Sequence, residues 1–229
     1  MKIYAISDLH LSNTQDKPME IFGESWEGHW DIIRKDWLNK VNADDIVLLT
    51  GDLSWAMKIE DAVVDLNEIA ALPGKKVIIR GNHDYWWGSY SKVTKMLPLN
   101  MFAIQNDSLR LGNVLLCGSR GWLIPDSKSN ADDKKIYARE LIRLKLSLDA
   151  MAKKRKDDDI VIGMMHFPPF NSQYNDSQMT ELFSEYHVHK VVYGHLHSIR
   201  NAEKITVKDD ITYYLSSCDL VDNNLVEIV

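Results

Sequence analysis

Val77-Ile78-Ile79-Arg80-Gly81-Asn82-His83-Asp84 decides how the rest of the chain is read. Three apolar β-formers make a short buried strand. Arg80-Gly81 ends it, and three side chains that can ligate a metal or move a proton follow at once. Asn82 offers an amide oxygen, His83 an imidazole that titrates near neutral pH, and Asp84 a carboxylate able to orient that imidazole. Taken alone, Asn-His-Asp after a strand reads equally well as a polar loop. The same arrangement, an apolar run closed by metal-type side chains, occurs at four other places along the chain.

Ile3-Tyr4-Ala5-Ile6 is the first of these runs, and Ser7-Asp8-Leu9-His10 follows it. Residues two apart on an extended backbone face the same way, so Asp8 and His10 make a half-site for a divalent metal. Ile46-Val47-Leu48-Leu49 runs into Thr50-Gly51-Asp52, Ile160-Val161-Ile162 into Gly163-Met164-Met165-His166, and Val191-Val192-Tyr193 into Gly194-His195-Leu196-His197. Helical periods separate these strands: Trp30, Ile33, Trp37 and Val41; Ile59 to Leu72, stopped by Pro73-Gly74; Ser89 to Leu97; residues 131 to 156; and Thr180 to Tyr186. In the long helix Ile136, Leu141, Leu144 and Leu148 form the apolar stripe, and its charges read as a solvated face. Phe102 to Leu116 reads as antiparallel strands turning at Gly112-Asn113, and Thr212 to Leu215 and Leu225 to Val229 as closing strands. Strands alternating with helices make an α/β fold, in which ligands gather at the carboxyl ends of the strands.

The length of 229 residues suits one domain, 1–229. The net charge of −6 provides no basic field for nucleic acid or an anionic membrane. No run approaches the roughly 18 apolar residues of a membrane span. The first apolar run is short and a carboxylate follows it at Asp8, so no secretory signal is expected. Cys117 and Cys218 lie far apart among apolar neighbours, as reduced buried thiols do. A cytoplasmic protein without a membrane partner is the expectation.

Asp8/His10, Asp52, Asn82/His83, His166 and His195/His197 thus all stand just past strands, and they include five of the eight histidines. His29, His187 and His189 do not follow strands and read as surface or helix-end residues. Burying so many polar groups unpaired would be costly, and a pair of metal ions would satisfy them. All the candidates are nitrogen or oxygen donors, which suits Mn, Fe, Zn, Co or Ni. Tyr85, Trp86 and Trp87 either line a substrate pocket or anchor the loop. Arg120, in the loop Gly118-Ser119-Arg120-Gly121-Trp122, is either a phosphate contact or a plain surface arginine.

The set Asp8-x-His10, Gly51-Asp52, Gly81-Asn82-His83-Asp84, His166 and Gly194-His195-x-His197 resembles the calcineurin-like metallophosphoesterase superfamily, in the family's own order. In particular the chain is similar to small bacterial and archaeal predicted phosphohydrolases of that superfamily. The resemblance implies a four-layer αββα sandwich of two mixed sheets with a dinuclear site at one edge. It implies that Asp8, His10 and His197 bind one metal, that Asn82, His166 and His195 bind the other, and that Asp52 bridges them. His83 would face the substrate as general acid, with Asp84 holding it. Where the family has a polar residue shortly after the bridging aspartate, this chain has Leu53-Ser54-Trp55-Ala56-Met57, so no substrate contact is transferred there.

The expected activity is hydrolysis of a small phosphate mono- or diester, two divalent or trivalent transition-metal ions being the cofactors. A metal-dependent nuclease is the alternative within enzymes, ranked lower because the net charge is acidic. A non-enzymatic scaffold with this fold is the other alternative. The complete ligand set speaks against it, and an exposed apolar patch at Trp26 or Trp55 would speak for it. The substrate, the native metals and the oligomeric state are not legible in the sequence.

Overall fold

The computed structural model describes residues 1–199 and 201–229. Among these the elements run β1 (Ile3–Ile6), α1 (His29–Lys40), β2 (Ile46–Leu49), α2 (Ile59–Ala70), β3 (Lys75–Ile78), α3 (Tyr90–Met96), β4 (Met101–Ala103), β5 (Ser108–Leu111), β6 (Val114–Ser119), α4 (Ala131–Ala152), β7 (Ile160–Met165), α5 (Gln178–Glu185), β8 (Lys190–Tyr193), β9 (Ile205–Lys208), β10 (Ile211–Leu215) and β11 (Val226–Glu227). One sheet has the order β11-β1-β2-β3-β4 and the other β5-β6-β7-β8-β10-β9. In the first, β1 to β4 are parallel and β11 is antiparallel to β1. In the second, β6, β7, β8 and β10 are parallel, and β5 and β9 are antiparallel edges.

The short runs are apolar on both faces because the sheets are covered on both sides. In β1, Ile3 and Ala5 join Ile162, Met164 and Val192 of the opposite sheet in an inner core. Tyr4 and Ile6 alternate to the other face, where they share a core with Ile33 and Trp37 of α1, Leu66 and Ile69 of α2, and Val93 of α3. Beyond the second sheet, Leu115 and Val161 pack with Leu144 and Leu148 of α4 and Phe183 of α5. The order of layers is therefore helices, sheet, sheet, helices. Full burial of one such aliphatic side chain is worth about 1.5–3 kcal/mol, and β1 and β2 are buried along their whole length.

This packing brings the carboxyl ends of both sheets to one edge. There Ser7 N–H donates to the Ser216 carbonyl at 2.8 Å, and the Thr50 and Ser216 hydroxyls lie 3.0 Å apart. The backbone thus ties the end of β1 to the end of β10.

Four sequence expectations change. Residues 101–103 do not pair with β5. They return through α3 to lie parallel to β3, with Val77 opposite Phe102, because a parallel neighbour is reached by a helical crossover. Strand β9 escapes the sequence reading because Ile205 and Val207 of this edge strand are exposed. Helix α4 ends at Ala152 rather than 156, as Arg155 turns away to donate to the carbonyls of Tyr186 at 2.9 Å and His187 at 3.1 Å. Its charges are not all solvated, since Glu140 is fully buried. Among the described residues no helix is long and apolar enough to cross a membrane.

Candidate metal centre

All seven candidate ligands meet at the strand-end edge. Asn82 Oδ1 lies 2.7 Å from His166 Nε2 and 2.9 Å from His195 Nδ1. His197 Nε2 is 3.4 Å from Asp8 Oδ1, His166 Nε2 is 3.4 Å from Asp52 Oδ2, and His10 Nε2 is 3.8 Å from the same Asp52 oxygen. Donor atoms of Asp8, His10 and His197 lie within 4.8 Å of one another, as do those of Asp8, Asp52 and His166.

Four of these residues have a left-handed backbone: Asp8 (φ 60°), His10 (φ 47°), Asp52 (φ 54°) and His195 (φ 70°). A non-glycine residue held in a sparsely populated region costs of order 1–3 kcal/mol, so the surroundings must impose it. The loops after β1 and β2 zip together: Asp8, His10 and Leu11 N–H groups donate to the carbonyls of Gly51, Asp52 and Leu53, each at 3.0 Å. The loop after β3 closes on them through Asp84. Its buried carboxylate accepts the amides of Gly81 at 2.7 Å and of Asp52 and Leu53 at 2.9 Å, and the Trp86 indole at 3.0 Å. Gly81 must lack a side chain, because a Cβ there would fall inside the Asp52 carboxylate.

The histidines from the second sheet are aimed by their other ring nitrogen. His166 Nδ1 lies 2.9 Å from the Thr50 carbonyl, which can only accept, so the proton is on Nδ1 and the Nε2 lone pair faces Asp52. That lone pair and the Asn82 oxygen are then two acceptors 2.7 Å apart, a contact a shared cation resolves. His197 Nδ1 lies 2.8 Å from Asp219 Oδ1, which presents Nε2 to Asp8. Ligating histidines commonly donate their second N–H to a carbonyl or carboxylate in this way.

Electrostatics divides the donors: burial would lower His197, but its hydrogen bonds and charge interactions with Asp219 and Asp8 raise it to about 10. Burial alone would raise Asp8, but the hydrogen bond and charge of His197, with the charges of His166 and His10, hold its carboxyl below the usual range. Burial, with the charges of Asp84 and Asp8, pushes Asp52 well above it. Burial lowers His10 and His166 to about 3 and His195 to about 4, which keeps them neutral and able to ligate. Asp52 Oδ2 and His10 Nδ1 are buried without hydrogen-bond partners. Two buried carboxylates, an amide oxygen, four imidazoles and these unpartnered atoms fit divalent cations that take nitrogen and oxygen donors.

The sequence profile of the calcineurin-like phosphoesterases matches residues 1–198. The chain belongs to that family. An uncharacterized metallophosphoesterase of Helicobacter pylori (strain ATCC 700392 / 26695) is 22% identical over 197 residues, covering 82% of this chain and 44% of the relative. The chain thus spans less than half the length of the curated relatives it matches. Phosphopantetheinyl hydrolase from Mycobacterium tuberculosis has a similar fold, with a TM-score of 0.60 at 14% identity over 100% of this chain and 95% of that one. So has purple acid phosphatase from yellow lupin (Lupinus luteus) seeds, with a TM-score of 0.50 at 14% identity over 94% of this chain and 43% of that one. These likenesses bear out the two-sheet α/β fold.

Within this calcineurin-like phosphoesterase, two readings of the sequence are corrected. Asp84 does not hold the His83 ring, because consecutive side chains diverge and its carboxylate is taken up by the loop amides. The ring's Nδ1 lies 3.2 Å from the Tyr85 hydroxyl instead. Arg120 does not reach into the centre. Its guanidinium lies over Trp122 and 3.6 Å from buried Glu140, in a cavity lined by none of the seven candidate ligands. Of the two readings of His29, the helix-end one holds: it opens α1, buried, with Nε2 2.8 Å from the Leu9 carbonyl between Asp8 and His10.

The aromatic trio divides between its two readings. Trp86 and Trp87 are buried anchors, and Tyr85 is exposed beside His83. Trp26 is buried, so no exposed tryptophan patch forms there.

Two residues of the site escaped the sequence reading. Asp219 lies in a one-turn helix after β10 and braces His197. Ser216-Ser217-Cys218-Asp219 past an apolar run was the available signal. Trp55 stacks on His10 with ring centres 4.7 Å apart and touches the His83 ring at 4.7 Å.

Proposed function

We propose that the chain is a dinuclear metal-dependent phosphohydrolase acting on a small phosphate ester. The observation that carries this is the meeting, at one edge, of seven nitrogen and oxygen donors from five strand ends, with a buried carboxylate oxygen of Asp52 left unpartnered. Asp8, His10 and His197 would hold one ion, Asn82, His166 and His195 the other, and Asp52 would lie between them. Such ions, when bound, lower the pKa of water and neutralise charge on phosphoryl oxygens.

The chain's own groups do the rest. His83 is half-buried, with Tyr85 at its Nδ1, and its other nitrogen is available to give a proton to the leaving oxygen. Its backbone N–H holds Asp52 Oδ1 at 2.7 Å, which keeps Oδ2 turned to the histidines. Trp55 walls His10 and His83 on one side. A cavity of about 670 Å³ adjoins His195 and His197 and is lined also by Leu123, Ile124, Phe170 and Tyr174. That volume suits a small organic phosphoester, and with a net charge of −6 it ranks long nucleic acid second. Two unpaired buried thiols support a reducing, cytoplasmic setting.

The test is a panel of phosphomonoesters and phosphodiesters with added Mn, run beside elemental analysis. Turnover is expected in the wild type. The variant His83→Ala is expected to keep its metals and lose roughly 10²–10⁴ in rate on an ester with a poor leaving group. Full activity in that variant removes His83 from the chemistry; no turnover by the metal-loaded wild type on any ester overturns the assignment.

A further inference from the structure

A second polar cavity, of about 70 Å³, lies away from the metal centre. Arg80, Gln105, Ser119, Arg120, Glu140 and Arg143 are on its wall, and none of the candidate metal ligands is. A single water needs roughly 10–15 Å³, so the space exceeds what one or two waters require. Three guanidinium groups line it against one carboxylate.

Glu140 is fully buried, and its Oε1 lies 2.7 Å from Arg143, 3.6 Å from Arg120 and 4.0 Å from Arg139, which approaches from the exposed side. Nothing comparable serves Arg80, which has no ion-pair partner among the described residues. Arg80 Nε and Arg120 Nε are buried donors with no acceptor, and Glu140 Oε2 is a buried acceptor with no donor. Leaving such groups unsatisfied is costly, and more so when they are charged.

We propose that this cavity binds free monohydrogen phosphate at a site separate from the metal centre. A tetrahedral dianion supplies several acceptor oxygens, and a guanidinium forks onto two of them. The uncharged wall offers donors as well. The Gln105 carbonyl oxygen is occupied by the Trp87 indole at 2.8 Å, which leaves its amide N–H groups for the cavity. The Ser119 oxygen accepts the Gly121 amide at 3.3 Å, so its O–H is free to donate. The apparent contradiction, a carboxylate on the wall of an anion site, selects the ligand. Glu140 Oε2 needs a donor, and monohydrogen phosphate carries one O–H where sulfate carries none.

The cavity also borders the backbone that carries two of the candidate ligands. Arg80 immediately precedes Gly81-Asn82, and the Arg120 carbonyl accepts the amides of His166 at 3.2 Å and Phe167 at 2.9 Å.

The test is equilibrium dialysis of labelled phosphate against the full, metal-loaded chain, with no turnover needed for its readout. The variants Arg80→Met and Arg120→Met are each expected to bind one phosphate fewer per chain than the wild type while metal content stays the same. Displacement by sulfate is expected to need roughly tenfold more competitor than displacement by phosphate at this site. In Glu140→Gln, which keeps the shape of the side chain, that preference is expected to vanish. Methyl phosphate, whose dianion carries no O–H, is expected to compete no better than sulfate in the wild type; competition equal to phosphate overturns the proposal. Unchanged phosphate stoichiometry in both arginine variants overturns the proposal. So does equal competition by sulfate and phosphate in the wild type, a result that does not depend on any variant folding.

Discussion

Across the metal centre the loops after β1, β2 and β3 face the loops after β7 and β8, and the two sides are held by different means. On the first side, backbone amides and carbonyls zip the loops together, and Asp84 gathers three amides and an indole on one carboxylate. The carboxylates there are buried and three of the ligands have a left-handed backbone. On the second side, His166 depends on one carbonyl and His197 on one carboxylate, and His195 and His197 are only half-buried, at the mouth of the larger cavity. The first side is thus fixed by the main chain, where no side-chain substitution is free of consequence. The second side is tied by backbone amides too, at His166, Gly194 and His195, but its His166 and His197 rings are each aimed by a single contact.

The contrast is broken most forcefully at Asp84. The variant Asp84→Ala strips the acceptor from several buried donors at once. At about 1–3 kcal/mol for each orphaned group, a loss of roughly 4 kcal/mol or more is expected in denaturant unfolding, together with loss of metal. A near-wild-type midpoint would show that the clamp is incidental.

Metal removal comes next, because under the proposed assignment donors from both sheets would share the ions. Chelation is expected to lower stability by about 2.7 kcal/mol for each ion that had been held at a hundred times its Kd, read as a fall in Tm. An unchanged Tm would mean the two sides are held independently of any ion.

Smaller still is Asp219→Ala, which is confined to the second side. It is expected to weaken one ion by roughly 10–100-fold and to leave the other in place, as measured by metal titration. Loss of both ions would erase the asymmetry between the sides.

Least of all is expected from the thiols. Burial raises the Cys117 thiol to about 12 and pushes Cys218 well above its usual value. Neither should react with a thiol reagent at pH 8 until the chain unfolds, and a fast-reacting native thiol would show that one of the sheets opens.

Much of the first side and all five strand ends were legible in the sequence. Runs such as Ile46-Val47-Leu48-Leu49 are buried on both faces, and a side chain past such a run has only the sheet edge to occupy. Contacts that depend on what crosses the sheets were not legible. Asp84 neighbours His83 in sequence and so was read as its partner, yet its contacts are with amides from another strand's loop. Asp219 acts through His197, over twenty residues earlier, from a turn whose Cys218-Asp219 past an apolar run was not read with the other strand ends. Glu140 was read among the solvated charges of its helix, yet it stands four residues from both Ile136 and Leu144 on the apolar stripe, where Arg120 and Arg143 approach its buried carboxylate.

The stacking of Trp55 on His10, with Trp26 edge-on at 5.8 Å, has a practical consequence. Two of the seven indoles lie against a ring that would touch the ion, while Trp37 is buried elsewhere in the layers, its indole on the Pro73 carbonyl. An open-shell cation so close to an excited indole drains its emission. If the centre takes an open-shell ion, its loading would be readable from the protein's own emission, without label or substrate.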